Sequence, residues 1–362
     1  MFVKCNFKGF TIFIKIIRYI ILSFLVSIYA PFLYAYDSYD EGIETNSAVV
    51  FMYHRFGESK YPSTNITLEQ FEFHLDYLNK NNYNVWKLSK IVKHLIAKKP
   101  LPPKTVAITI DDAYISTYIH AYPRLKKLNF PFTVFVHINP VDKKYGDFMS
   151  WDQMREMKKY GAEFANHSLN HDHLIENESM SKERIAKDIQ EAQKRLDEEL
   201  GKNAEDEPKL FSYPYGEYTL KIASLVEDLG YVGVSQTSGP IGMQSDLKEL
   251  TRYAMSEVYA DPKGFVTKLN TLPMPIDSVY PKEHLVYQQN PPILQIKLVK
   301  ELKDMACYSS VGERLKLEWI SKNELKVYSK KILKPPRDRY TCTAKAKNDR
   351  YYWYSHLWII QD

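Results

Sequence analysis

Two adjacent carboxylates, Asp111 and Asp112, follow the apolar run over 105–110. Because successive residues of a strand point to opposite sides, the two cannot flank one glycosidic bond as the carboxylate pair of a glycosidase does. They suit different tasks: one can bind a metal while the other takes a proton from the attacking water. Taken alone, such a doublet most often forms a turn or caps a helix.

Histidines follow another short apolar run farther along the chain. His167 and His171 are four residues apart, a spacing that places two imidazoles on one side of a turn, as a chelating pair requires. Two histidines and one carboxylate with an open position form the ligand set of a catalytic zinc or related divalent ion. For the neighbouring His173, we expect a local packing or hydrogen-bonding role.

A third motif is the segment Tyr213 to Gly216, in which a strand runs into a turn. Pro214 fixes its own φ angle, and Gly216 permits close approach of a ligand to the backbone. Backbone N–H groups in such a turn can serve as oxyanion donors. Alone, this motif indicates only a turn. It indicates a function only together with the carboxylate doublet and the histidine pair.

The motifs TIDD (109–112), HSLNH (167–171) and YPYG (213–216), in this order, resemble those of the polysaccharide deacetylase family, also called carbohydrate esterase family four. The resemblance covers roughly residues 48 to 260 and implies an irregular β/α barrel with a divalent metal, zinc or another ion such as cobalt. It also implies residue roles: Asp111 as general base, Asp112, His167 and His171 as metal ligands, and the Tyr215 backbone N–H as oxyanion donor.

The segment VFMYHRFG (50–57) is similar to the first strand of the exported poly-N-acetylglucosamine deacetylases within this family. The resemblance implies that His54 is the catalytic acid. Two positions depart from the family pattern: Ala113 replaces a glycine, and Ser212 replaces an arginine that supports the base. Arg252 is a candidate to supply that guanidinium, and an ordinary ion pair is the alternative.

The resemblance implies a hydrolase acting on linear amides, which removes acetyl groups from an N-acetylated polysaccharide and releases acetate. Poly-β-1,6-N-acetylglucosamine is the first candidate substrate. Peptidoglycan, chitin oligomers and acetylated hemicellulose are alternatives within the class. A metal-dependent amidase that acts on a non-sugar substrate is a separate possibility. An alternative from another class is a carbohydrate-binding protein that keeps the barrel without turnover.

Short apolar runs alternate with helical patterns between about residues 48 and 255, which is typical of a parallel sheet with crossover helices. An irregular (β/α)7-type barrel fits this pattern better than an open sheet. The predicted strands are 48–53, 105–110, 132–136, 162–165, 210–213, 231–234 and 250–253. The predicted helices are 67–78, 89–98, 116–128, 151–160, 181–200 and 218–229.

Beyond about Leu272 the pattern changes. Prolines at 273, 275, 281, 291 and 292 predict a linker, and the runs 293–299, 315–320, 324–328 and 351–360 predict strands of a small β-rich module. Residues 280–362 contain 16 Lys and Arg against 9 Asp and Glu. This basic tail is a candidate surface for polymer or envelope, and solvated lysines without a partner are the alternative.

The first 35 residues contain four basic residues and no acid, and they include an apolar run that ends near Ala35. This pattern predicts a secretory signal peptide. An uncleaved membrane anchor is the main alternative, because Leu33 is large for its position before the cut. Both predict an exported protein: periplasmic, envelope-anchored or secreted. The domain prediction is a leader over 1–35, a catalytic domain over 36–275 and an accessory module over 280–362.

The charge of the chain argues against a nucleic-acid partner. The formal net charge is +5, of which four positive charges lie in the predicted leader, so too little remains for a nucleic-acid surface. The three cysteines are too few for a disulfide scaffold. Because exported proteins meet oxidising conditions, we expect Cys307 and Cys342 to pair, with two buried thiols as the alternative.

Overall fold

Three apolar runs form the centre of the fold. The segments Ser47–Tyr53, Thr105–Asp111 and Phe132–Val136 are rich in β-branched and aromatic residues, and all of their side chains are buried. Strands that are covered on both faces have this near-continuous apolar character. The computed structural model, which describes residues 46–175, 181–287 and 289–361, places the three side by side in one mainly parallel sheet.

The strands of this first part of the chain are β1 (Ser47–Tyr53), β2 (Arg55–Phe56), β3 (Asn65–Ile66), β4 (Asn84–Val85), β5 (Thr105–Asp111), β6 (Phe132–Val136), β7 (Ala162–Asn166), β8 (Lys209–Ser212), β9 (Tyr231–Val234), β10 (Ile241–Gly242) and β11 (Tyr253–Ala254). The sheet order is β10-β1-β5-β6-β7-β8-β9, with β4 beside β5 and β11 beside β1. Only the β10–β1 pair within this sheet is antiparallel.

Helices connect these strands, and five of the eight described helices begin at a side chain that caps the first turn. Thr67 and Ser150 each form a capping box with a glutamine three residues later, and this satisfies N–H groups that have no partner inside the helix. The helices are α1 (Leu68–Lys80), α2 (Leu88–Ile96), α3 (Tyr122–Lys127), α4 (Ile138–Asp142), α5 (Trp151–Lys158), α6 (Lys182–Leu200), α7 (Leu220–Asp228) and α8 (Pro262–Leu269). A π-helical turn, Thr117–Ala121, precedes α3.

The predicted irregular β/α barrel is confirmed, with one difference at its seventh strand. The segment predicted as a strand over 250–253 pairs as a strand only at Tyr253–Ala254, beside β1. Leu250 forms a single bridge to Val234 of β9. The residues between them therefore join the two edges of a curled sheet. Such a divided segment lacks the regular pairing that an apolar run alone predicts.

The C-terminal part of the chain is β-rich, as the sequence predicts. Its strands are β12 (Thr271–Pro273), β13 (Ile276–Tyr280), β14 (Leu285–Val286), β15 (Ile293–Leu298), β16 (Ala306–Tyr308), β17 (Lys316–Ser321), β18 (Glu324–Tyr328), β19 (Arg337–Lys345) and β20 (Tyr351–Ile360). One sheet has the order β12-β20-β19-β16 with β14 beside β20, and the other has the order β13-β15-β18-β17. The predicted disulfide joins Cys307 of β16 to Cys342, the residue opposite on β19.

The prolines between Leu272 and Pro292 predicted a linker, and this prediction is wrong. The segment contains β12, β13 and β14. Each of these strands pairs on one side only, at the edge of a sheet. Proline, which lacks an N–H donor, is tolerated at such edges and at strand ends. Clustered prolines therefore marked sheet edges here instead of an unstructured connection.

Strand β20 packs directly against the barrel. Leu357 and Ile359 belong to the same buried apolar cluster as Phe211 and Tyr213 of the barrel. Trp353 meets the Tyr253 ring edge-on, with ring centroids 5.4 Å apart. Strand β20 therefore completes part of the barrel core. The division into a catalytic domain and an accessory module stays a prediction.

The predicted leader over 1–35 and its Cys5 lie outside the described residues. Within the part of the chain that the structure describes, no helix combines the length and the apolar character needed to cross a bilayer.

A partly buried ion pair joins the C-terminal part to the barrel. His284 Nε2 lies 2.8 Å from Glu249 Oε2, and its Nδ1 lies 3.1 Å from the Leu357 carbonyl oxygen. Burial lowers the pKa of His284, but the Glu249 carboxylate outweighs burial and raises it above its usual value. The neighbouring His356 is held neutral, because burial keeps its pKa well below the usual value.

We expect the His284→Gln variant to melt roughly 3 to 8 °C below the parent protein at pH 6, because a charge-assisted hydrogen bond is lost. The folded-state pKa of His284 is raised, so its contribution is complete below the unfolded pKa of about 6.5 and is lost as pH rises through the folded pKa. Thermal unfolding at pH 6 and pH 9 should show a clearly smaller difference at pH 9. The control variant His94→Gln replaces a histidine of helix α2 by the same residue and is measured at both pH values.

Candidate active site

The carboxyl ends of five neighbouring strands, β1, β5, β6, β7 and β8, lie at one edge of the barrel, where catalytic groups gather in β/α barrels. The sequence-predicted site residues lie at this edge, and Arg252 reaches them from the segment that closes the sheet. Their positions are His54 directly after β1, Asp111 and Asp112 at the end of β5, His167 and His171 after β7, and Tyr215 after β8.

Three of these residues form a cluster that could hold a metal ion. One ligand atom from each of Asp112, His167 and His171 lies within 4.8 Å of the others. Asp112 Oδ1 lies 3.3 Å from His167 Nε2 and 3.4 Å from His171 Nε2, and the two Nε2 atoms are 3.2 Å apart. The same two imidazole nitrogens and one carboxylate oxygen therefore face a common point.

The donor set fits a divalent cation. His167 Nδ1 lies 2.8 Å from the Ser212 carbonyl oxygen, which can only accept, so Nδ1 carries the proton and Nε2 is left with its lone pair. Burial lowers the pKa of His171 to about 3, so its imidazole is neutral. Asp112 Oδ1 is buried without a hydrogen-bond partner. A buried oxygen of this kind is costly unless a cation satisfies it.

The backbone turns sharply to present Asp112. Asp112 and Ala113 both have positive φ angles, 73° and 62°, a conformation in which a side chain is unfavourable by about 1 to 2 kcal/mol. Glycine would avoid that cost at position 113, where the family pattern has glycine. The alanine side chain is fully buried, and the turn is formed despite it.

Asp111 is held by a fully buried arginine. Arg252 Nη1 lies 2.7 Å from Asp111 Oδ1, and Nη2 lies 2.8 Å from Oδ2, so the contact is bidentate. Arg252 Nη2 also donates to Ser212 Oγ at 2.8 Å. Burial raises the pKa of Asp111, but the Arg252 charge and its hydrogen bonds outweigh burial and hold the pKa below its usual range. The carboxylate is therefore ionised and fixed in orientation.

His54 lies directly after β1 and is half-buried. Tyr53 of β1 pairs with Ile110 of β5, so His54 follows β1 at the level of Asp111. The side chain therefore lies on the same edge as the metal-ligand candidates, as expected from the strand order, in which β1 pairs with β5.

The turn after β8 has an unusual backbone. Tyr215 has φ 57° and Gly216 has φ 70°, so two consecutive residues are left-handed. A Cβ atom at position 216 would lie only 2.6 Å from Gln236 Cβ, which requires glycine there. The Tyr215 ring lies against His171, with centroids 4.6 Å apart. The Tyr215 side chain therefore places this turn at the border of the cluster.

Two further histidines border the site. His173 has the expected local role: its Nδ1 lies 2.8 Å from Glu217 Oε2, and its ring stacks on Tyr215 at 3.7 Å. His137, which the sequence analysis missed, lies 5.1 Å from the His171 ring, centroid to centroid. Burial lowers its pKa to about 4. Its position directly after the predicted strand 132–136 was a signal that could have found it.

Comparison with known proteins agrees with this geometry. Residues 98–234, which contain both carboxylates, both candidate metal-ligand histidines and the Tyr215 turn, match the family model for polysaccharide deacetylase. The chain contains a polysaccharide deacetylase domain. His54 and Arg252 lie outside the matched residues.

Relatives extend the similarity beyond the matched domain. The chain is 26% identical over 208 residues to YxkH of Bacillus subtilis (strain 168), a match that covers 57% of this chain and 71% of that protein. It is 28% identical over 194 residues to the poly-beta-1,6-N-acetyl-D-glucosamine N-deacetylase of Staphylococcus aureus (strain MRSA252), covering 47% of this chain and 65% of that protein. The matches thus span about two thirds of the relatives' length.

Solved structures share the fold of this polysaccharide deacetylase domain. IcaB from Ammonifex degensii superposes with a TM-score of 0.54 at 25% identity, over 62% of this chain and 98% of that one. The Streptococcus pyogenes deacetylase PplD, solved with acetate, gives a TM-score of 0.56 at 24% identity, over 62% and 99%. Each superposition covers nearly all of the neighbour and leaves more than a third of this chain outside.

We expect a His171→Ala variant to lose bound metal, because two remaining protein ligands rarely hold a catalytic ion. Its affinity for zinc should fall by more than the roughly 10 to 100-fold that removal of a supporting residue costs. The measurement is metal content by mass spectrometry after dialysis against a competing chelator. A His94→Ala variant should keep the parent stoichiometry, and stoichiometric metal in His171→Ala would refute this ligand assignment.

Proposed function

We propose that the protein is a metal-dependent polysaccharide N-deacetylase that hydrolyses acetamido groups of poly-β-1,6-N-acetylglucosamine and releases acetate. The observation that carries the proposal is the pairing of a metal-ligand cluster with an adjacent ionised carboxylate. Asp112, His167 and His171 supply the ligands, and Asp111 lies beside them in a fixed orientation. Asp111 and Asp112, adjacent at the end of β5, thus have separate tasks: Asp112 binds the metal and Asp111 acts on the water.

In this proposal Asp111 is the general base. Its ionisation and its bidentate contact with Arg252 keep one carboxylate in position to accept a proton from the attacking water. Arg252 is a positioning residue that acts through Asp111, and it takes the place of the arginine that Ser212 replaces. The hydrogen bond from Arg252 to Ser212 connects these two positions directly.

The chemistry that a divalent ion, zinc or cobalt, supplies when bound is Lewis acidity, which acidifies a water and polarises a carbonyl oxygen. Asp112, His167 and His171 would hold that ion. The backbone N–H of Tyr215 donates to the oxyanion of the tetrahedral intermediate, at the border of the cluster. His54 gives a proton to the departing amine, so that glucosamine leaves as a neutral group.

The choice of substrate rests on the relatives. The Staphylococcus aureus proteins that match this chain are named for poly-β-1,6-N-acetyl-D-glucosamine N-deacetylation, and we extend that substrate to this chain. The polysaccharide is its partner in this proposal. The basic, apolar start of the sequence supports an exported location, with the envelope reached through the N-terminus or the basic tail.

The test is acetate release from a substrate panel. We expect the purified, zinc-loaded protein to release acetate from poly-β-1,6-N-acetylglucosamine faster than from chitin oligomers, peptidoglycan or acetylated xylan. An Asp111→Asn variant should be at least about 100-fold slower, because it loses the base while keeping nearly the same shape. Binding to the polymer without acetate release would instead indicate a non-catalytic carbohydrate-binding protein.

For His54, we expect the His54→Asn variant to lose roughly 100 to 10,000-fold in turnover, the range typical for an acid–base catalyst. Metal content and melting temperature should stay close to those of the parent, since His54 is not among the metal-ligand candidates. His94→Asn, in helix α2, is the matched control. Turnover within a few-fold of the parent at equal metal occupancy would return His54 to a structural role.

A further inference from the structure

A strand outside the matched domain contacts the proposed oxyanion turn. Arg337, the first residue of β19, donates from Nη1 to the carbonyl oxygen of Tyr215. The same nitrogen lies 3.3 Å from Glu217 Oε1. Tyr215 and Glu217 precede Arg337 by about 120 positions in the sequence. The family match ends at residue 234, so Arg337 lies outside it. A side chain of the C-terminal sheets thus reaches the border of the site.

The contact belongs to a closed ring of interactions. Glu217 is buried, and its second oxygen, Oε2, lies 2.8 Å from His173 Nδ1. The His173 ring stacks on the Tyr215 ring with an interplanar angle of 4°. Arg337 therefore fixes the carbonyl of Tyr215, His173 fixes its ring, and the Glu217 carboxylate connects the two. A tyrosine in a left-handed conformation needs such contacts, because that conformation is unfavourable for a residue with a side chain.

A second arginine on the same face of β19 reaches the adjacent loop. Arg339 Nη1 lies 3.4 Å from the carbonyl oxygen of Gln236, the residue that packs against Gly216. Residues two apart on a strand share a face, so Arg337 and Arg339 both point toward the barrel. The buried Tyr340 and Cys342 point into the C-terminal sheets instead. One strand face therefore contacts the left-handed turn through Arg337 and the adjacent Gln236 through Arg339.

We propose that Arg337 is a positioning residue for deacetylation. By holding the Tyr215–Gly216 peptide and the Glu217 carboxylate, it keeps the Tyr215 N–H aimed at the oxyanion. This inference rests on the proposed function, since it assigns Arg337 to the same site. Misplacing a donor by about 1 Å can cost on the order of 100-fold in rate. The C-terminal sheets are then part of the catalytic machinery through one side chain.

The experiment compares Arg337→Met with Arg337→Lys and with the control Arg314→Met, an exposed arginine of the same part of the chain. In Arg337→Met we expect kcat to fall roughly 10 to 100-fold while KM stays within about threefold, at parent metal content. Arg337→Lys, which keeps a charged donor, should recover part of kcat. Arg314→Met should match the parent protein.

A second measurement follows the turn itself. Hydrogen–deuterium exchange of a peptide covering residues 213–217 should be faster in Arg337→Met than in the parent, and unchanged in Arg314→Met. Unchanged exchange, or kcat within twofold of the parent, would overturn the inference about Arg337 while leaving the proposed function intact. A parent protein that releases no acetate from any polymer would overturn the proposed function, and the inference with it.

Discussion

The site depends on one buried ion pair. Arg252 and Asp111 are both fully inaccessible to solvent, and removing two such charges from water costs several kcal/mol each unless their hydrogen bonds are satisfied. The arginine satisfies its donors with Asp111, Thr109, Ser212 and the Ser235 carbonyl. A complete set of partners of this kind allows only one arrangement of the strands around it.

That requirement explains why the barrel closes as it does. Asp111 ends β5, whereas Arg252 lies between Leu250, which bridges to β9, and Tyr253, which pairs with β1. The segment cannot form a regular strand with either edge and still direct its guanidinium inward. The irregular closure is thus the geometry that brings the Asp111 carboxylate, the proposed base, and the Arg252 guanidinium together. A more regular barrel would leave the carboxylate without its counterion.

Much of this was predictable from the sequence because the signals were local. Apolar runs marked the central strands, the H-x-x-x-H spacing marked two metal-ligand candidates, and a resemblance linked them to Asp112. The missing parts are non-local. His137 reaches the cluster only because β6 lies beside β7, and a single histidine after a strand has no distinctive spacing. The same holds for the contact between Arg337 and the Tyr215 turn.

Strand β19 itself escaped prediction for a physical reason. Its side chains alternate between buried and more exposed positions, but one buried position is Asp338 and the more exposed ones include Arg337 and Arg339. The sequence of β19 therefore contains no apolar run, although its side chains alternate with the two-residue period of a strand. The prolines before β15 led to the opposite error, because a segment that contains strands was predicted as a linker. These prolines lie around edge strands, where a missing N–H has no cost.

The packing of β20 has an evolutionary consequence. Leu357 and Ile359 share one apolar cluster with barrel residues, so the last strand of the chain is also part of the barrel interior. A recombination event that replaced the whole C-terminal part of the chain would expose this apolar cluster to solvent, even if every residue of the family motifs were kept. Tails in this lineage can therefore diversify at their outer strands, whereas β20 must be inherited together with the barrel that it completes.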